Sequence, residues 1–121
     1  MDKKVCSAAF YIYCKTTKQR CKGAAAEHST NADNYRAEIL GGILIQVVLI
    51  AASQKRPSPY RLAVVECDNN GVVTHGNSPG QGLKERQAQE DALRIFKQLI
   101  TDHPFEVSYK WVKAHQDDMK N

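Results

Sequence analysis

Two acidic residues sit beside apolar runs, where a charge needs a reason. Glu38 falls in the first turns of a mainly apolar segment, and Asp68 directly follows the stretch around Leu62-Ala63-Val64-Val65. Ligands of open α/β sheets gather beyond the carboxyl ends of strands, so an Asp there either belongs to a site or caps the next helix. Two buried carboxylates brought together repel unless a cation joins them. A hard divalent ion such as Mg²⁺ is the natural partner, because it takes oxygen ligands. A third group is Trp111-Val112-Lys113-Ala114-His115-Gln116-Asp117-Asp118, where an aromatic strand end runs straight into Lys, His and two Asp. A loop His beside a metal can move protons or steer a phosphate, whereas a surface His beside acids needs no role at all.

The basic residues are unevenly placed. Of 17 Lys/Arg and 13 Asp/Glu in the 121 residues, positions 1 to 36 hold seven basic against three acidic, and the remainder holds ten of each. The excess is Lys3, Lys4, Lys15, Lys18, Arg20, Lys22 and Arg36. Such a cluster suits phosphates, and it equally suits a solvated hairpin. Cys6, Cys14, Cys21 and Cys67 follow no signal peptide and read as reduced thiols in small core positions. Cys14, Cys21 and His28 recur every seven residues, but zinc pairs its ligands two to four residues apart. The longest apolar stretch, Ile43 to Ala52, is broken by Gln46 and reads as too short to span a bilayer. The expected setting is cytoplasmic or nuclear, with no membrane partner.

The elements that must position these groups follow from periodicity. Val5 to Lys15 alternates as a strand, with Cys6, Ala8, Phe10, Ile12 and Cys14 on one face. Thr16 to Gln19 suits a turn, and Arg20 to Ala26 a weak return strand. A helix is predicted from about Tyr35 to Ser53, capped by Asp33 or Asn34, with its stripe at Leu40, Ile43, Leu44, Val47, Val48 and Ala51. Gly41 and Gly42 lower its propensity, so something packs closely there. Arg61 to Cys67 reads as an inner strand, and Gly76 to Gly82 as a loop. Leu83 to Ile100 is predicted as one amphipathic helix, with Ala88, Ala92, Ile95, Phe96, Leu99 and Ile100 inward and Lys97 on its wet face. Phe105, Val107, Tyr109 and Trp111 then alternate as a half-buried strand. The order β-β-α-β-α-β over one domain, 1–121, implies an α/β fold with one mixed sheet flanked by helices.

Three of these segments, in this order, resemble the ribonuclease H-like domains, especially those of mobile-element reverse transcriptases. Asn34-Tyr35-Arg36-Ala37-Glu38 is similar to the start of that family's first helix, where an Arg-Ala-Glu run supplies a metal-binding Glu. Val64-Val65-Glu66-Cys67-Asp68-Asn69 resembles the strand that delivers a metal-binding Asp. Trp111 to His115 resembles the last core strand and the loop His that assists hydrolysis or product release, and His115-Gln116-Asp117-Asp118 is a run met in the mobile-element members. The tract at Gly23 is similar to the strand preceding the Arg-Ala-Glu helix. The resemblance implies Glu38, Asp68 and His115 as catalytic residues and Mg²⁺ or Mn²⁺ as cofactor. It implies as substrate the RNA strand of an RNA–DNA hybrid, read through groove shape and 2′-hydroxyls.

The chain departs from that family's pattern at both ends. The family opens with a central strand ending in a metal-binding Asp, whereas Cys6 to Lys15 resembles its second strand, and Asp2 precedes any strand. The family's final Asp lies on a later helix, and only Asp117 and Asp118 stand near that position as metal-ligand candidates. A truncated or rearranged sheet is therefore expected, completed by a homodimer or strand exchange. Lys15, Lys18, Arg20, Lys22, Arg36 and Lys113 are the expected phosphate contacts. The leading expectation is a metal-dependent nuclease impaired in this chain alone. The alternatives are an inactive nucleic-acid-binding module and a polyprotein fragment without function of its own.

Overall fold

The computed structural model describes residues 4–13, 18–55, 62–103 and 106–113. Along them run β1 (Lys4–Tyr13), β2 (Arg20–Ser29), α1 (Asn34–Lys55), β3 (Leu62–Cys67), α2 (Asn70–Gly76), α3 (Glu90–Thr101) and β4 (Glu106–Trp111). The chain is mixed α/β. Its four described strands form two sheets of two, β1 antiparallel to β2 and β3 parallel to β4. The expected single mixed sheet is thus divided, because no described strand bonds to both β1 and β3. A third helix also enters the order after β3. Asn69 starts it, its Oδ1 accepting from the backbone N–H of Val72 at 3.0 Å, and Val72 then enters the core.

The hairpin runs two strands of ten residues, with Lys4 opposite Ser29 and Tyr13 opposite Arg20. Gly23 faces Phe10 across it, and a Cβ there would meet the Phe10 ring at 2.7 Å. That ring supplies apolar cover where the glycine and three alanines of β2 offer little themselves.

Asp33 caps α1, its carboxylate accepting from the backbone N–H of Arg36 at 2.7 Å. The paired glycines of this helix explain themselves by close packing. Gly41 lies against Ala8 of β1, and a Cβ on Gly42 would stand 2.7 Å from the Phe96 ring of α3. The side buried against the core carries Arg36, Ile39 and Gln46, whereas Val47 of the expected stripe is exposed. Apolar residues encircle α1, so periodicity could not select the buried side. By length and composition Asn34–Gln54 is also long and apolar enough to cross a membrane, a correction to the reading of Ile43 to Ala52 alone as too short.

The predicted helix from Leu83 begins only at Glu90. Gln89 stands before it in the left-handed region, at φ 57°. The Gln89 amide donates to Asn31 O and Asp33 and accepts from Arg36, tying this segment to the loop before α1 instead of extending the helix. The inward set of α3 shifts with it. Leu93 is fully buried, Ile95 is exposed, and Lys97 leaves the expected wet face to donate to Ser78 O at 2.6 Å.

Arg36 joins three elements. All five of its guanidinium N–H groups are used: on both carboxylate oxygens of Glu27 in β2, both of Asp91 in α3, and Gln89. Both carboxyl pKa values are lowered, chiefly by the hydrogen bonds from Arg36. Farther along α1, Gln46 Nε2 donates to the Tyr109 hydroxyl at 2.7 Å, while its Oε1 is buried without a partner. Tyr109 also stacks edge-to-face on Phe96 at 5.4 Å between centroids.

Two stability outcomes follow. Arg36→Met should cost about 2 kcal/mol at pH 7, because charged hydrogen bonds are lost while both carboxylates retain some access to water. Protonating carboxylates with lowered pKa values removes the advantage as pH falls below their ordinary values of 4.5 and 3.8. The gap between wild type and variant should therefore narrow in acid urea titrations, and a constant gap would remove the ion pairs as its cause. Tyr109→Phe should cost about 1–2 kcal/mol by stranding the Gln46 amide, and adding Gln46→Met should recover most of it. Chemical denaturation of the two single variants and the double variant measures both terms.

Candidate metal centre

Glu38 reaches this site from the first turns of α1, and Asp68 from the end of β3. One donor atom each from Glu38, Cys67 and Asp68 lie within 4.8 Å of one another, although Glu38 and Asp68 are thirty residues apart in the sequence. The packing of Ile39 with Val65 in one core cluster accounts for the convergence, since each precedes or follows a site residue closely along its own element. Glu38 is exposed, and Cys67 and Asp68 are partly buried.

The chain around Asp68 is held by its backbone. Val112 N–H donates to Cys67 O at 3.0 Å, and the Trp111 indole donates to Asp68 O at 3.2 Å. Asn69, not Asp68, caps α2, so the Asp68 carboxylate is not the expected helix cap. Position alone leaves Asp68 between a site role and a cap, and the Asn69 side chain takes the cap.

Cys67 is the neighbour of the two carboxylates that the sequence reading, which places it among the core thiols, does not bring to them, although its place directly before Asp68 at a strand end is a usable signal. Its Sγ accepts from Asn69 N–H at 3.4 Å and lies 3.8 Å from Asn69 O. Burial pushes the thiol pKa up, the Asn69 backbone contact opposes this, and the charges of Glu38 and Asp68 push it up further. All but the Asn69 contact favour the protonated thiol, and sulfur is in any case a poor ligand for a hard ion. Two carboxylates fit one hard divalent ion. A site for two ions needs more oxygen donors than the described residues assemble here.

The remaining expected residues divide by location. Lys113 is exposed and follows β4 at the end of the parallel pair where Asp68 follows β3. Lys18, Arg20 and Lys22 are exposed on or beside the hairpin. Arg36 is corrected: it is 8% exposed and committed to Glu27 and Asp91, so its charge is already matched within the protein. Lys15, His115, Asp117 and Asp118 lie outside the described residues, as does Cys14. Cys21 and His28 fall on opposite faces of β2 by strand alternation. No protein-family model, curated protein or solved structure matches this chain.

The electrostatic coupling within the cluster is measurable without any metal. Replacing Glu38 by Gln or Asp68 by Asn should lower the Cys67 thiol pKa, because each removes a negative charge that opposes the thiolate. Alkylation rates followed against pH, read by mass spectrometry on the Cys67 peptide in chelator, should show a midpoint at lower pH in both variants. An unmoved midpoint would mean that the three side chains do not share a site in solution.

Proposed function

We propose that this chain is a ribonuclease H-like phosphodiesterase element acting on the RNA strand of RNA–DNA hybrids, with Mg²⁺ or Mn²⁺ held by Glu38 and Asp68. The observation that supports this reading is the convergence of those two carboxylates at the end of β3. A divalent ion there would supply polarisation of a phosphoryl oxygen and a more acidic bound water. The chain's own part is to hold the ion's ligands in place. The Trp111 indole and the Val112 amide brace the backbone at Cys67 and Asp68, and the capped start of α1 carries Glu38.

His115 is proposed for proton movement or product release, Asp117 and Asp118 as further oxygen donors, and Lys113 as a phosphate contact. In this reading the two small sheets are the two parts of a ribonuclease H-like mixed sheet. A strand from a second copy, or an exchanged strand, would join β1 to β3. The proposed setting is cytoplasmic or nuclear, with nucleic acid as the partner. The alternative of a binding module without catalysis draws on the exposed Lys18, Arg20 and Lys22 of the hairpin.

Two measurements test the reading. Mn²⁺ at ten times its dissociation constant should stabilise the chain by about 1.4 kcal/mol, and Glu38→Gln or Asp68→Asn should each abolish that gain. Labelled hybrid should be cut slowly or not at all by the isolated chain, because too few carboxylates aim the water and hold the ions. Any cutting should require the metal and vanish in both variants. Absence of divalent stabilisation would remove the metal site, and cutting that survives both substitutions would place the activity elsewhere.

A further inference from the structure

The outward face of the β1–β2 hairpin combines exposed aromatic rings with cations. Strand alternation and register put Val5, Ser7, Ala9, Tyr11 and Tyr13 on it, opposite His28, Ala26, Ala24, Lys22 and Arg20 respectively. Both tyrosines are open to solvent, Tyr11 at 57% and Tyr13 at 39%. Lys22 stands directly across from Tyr11, and the Arg20 guanidinium lies over the Tyr13 ring at 5.4 Å. No carboxylate shares this face. Glu27, the one acid in the two strands, belongs to the opposite face, where it pairs with Arg36. Ser7, Ala9, Ala24 and Ala26 form a floor of small side chains beside the rings.

We propose that this face is a stacking platform for single-stranded nucleic acid, with Tyr11 and Tyr13 taking unpaired bases and Arg20 and Lys22 taking the backbone phosphates. Same-face residues on a strand stand about 6.8 Å apart, so the two rings are spaced to meet successive bases of an extended strand. Aromatic rings interleaved with cations on an acid-free face match both parts of such a ligand: a π surface to stack on and a negative backbone to hold. The Arg20 guanidinium, 5.4 Å from the Tyr13 ring centroid, keeps a cation for the phosphate beside the ring that takes the base. A duplex fits less well, because its bases are stacked on one another and present only their edges to a shallow sheet. This platform stands apart from the Glu38–Asp68 reading and needs no metal.

The test uses the full 121-residue chain in chelator, with fluorescence anisotropy of a short labelled oligothymidylate, a duplex of equal length, and phosphatidylserine vesicles as a third arm. Oligothymidylate should bind more tightly than duplex, and vesicles should not compete. Tyr11→Ala should weaken oligothymidylate binding roughly tenfold, the size of one lost base–aromatic stack. Tyr11→Phe should retain the affinity, and it keeps the test open if the alanine variant folds poorly. Arg20→Ala with Lys22→Ala should weaken binding and flatten its salt dependence. Equal affinity for duplex, indifference to Tyr11→Ala, or preference for vesicles would each overturn the proposal. The first two would leave the tyrosines as cross-strand packing partners of Lys22 and Arg20.

Discussion

The buried guanidinium of Arg36 is the interaction on which the arrangement of the other elements depends. A charge taken from water at the first turn of α1 is tolerable only if oxygen acceptors surround it, and they come from two separate parts of the chain, β2 and the start of α3. Glu27 reaches it from near the end of β2, Asp91 lies in the first turn of α3, and Gln89 turns there in a left-handed conformation. The same demand explains why the helix predicted from Leu83 starts at Glu90. Residues before it are needed as a link to the loop that carries Asn31 and Asp33. A fork of five fixed donors also specifies orientation, which a lysine could not do in the same place.

From that junction, α1 relates the two sheets. Its glycines let β1 and α3 approach on neighbouring sides, and Ile39 and Gln46 reach toward Val65 and Tyr109 in the second sheet. Two small sheets that share no strand hydrogen bonds among the described residues are therefore held in relation by helix packing. Much of α1 is nevertheless only half-buried, with Glu38, Val47, Ala51 and Ala52 exposed. In the ribonuclease H-like proposal an added strand between β1 and β3 accounts for part of that exposure.

The two candidate activities divide along the same line. Glu38 and Asp68 meet where α1 lies against the end of β3, so that site depends on how the helix is held. The hairpin face depends only on strand register. Its chemistry is carried by side chains pointing away from α1, and it would persist if the metal reading failed.

Much of this was legible from the residues. Alternation located β1 and β4, and the polar turn located the hairpin. The Arg-Ala-Glu run and the Asp after an apolar strand marked Glu38 and Asp68, and the neighbouring glycines of α1 signalled close packing. Alternation also placed Phe10 and Ile12 on one face, which leaves Tyr11 and Tyr13 on the other. Local patterns report such features because side-chain direction follows directly from strand or helix period. Tertiary structure decided the rest. It chose the buried side of α1, an apolar helix with no single stripe. It turned Arg36 from an expected phosphate contact into an internal ion pair, and Lys97 from a wet-face residue into a donor to Ser78. It brought Cys67 beside two carboxylates and gave the helix cap to Asn69, leaving the Asp68 carboxylate beside Glu38. Apart from the Asn69 cap, which closes on Val72 three residues on, these depend on partners 9 to 63 residues away, and the free energy of a buried polar group is set by the partners it meets.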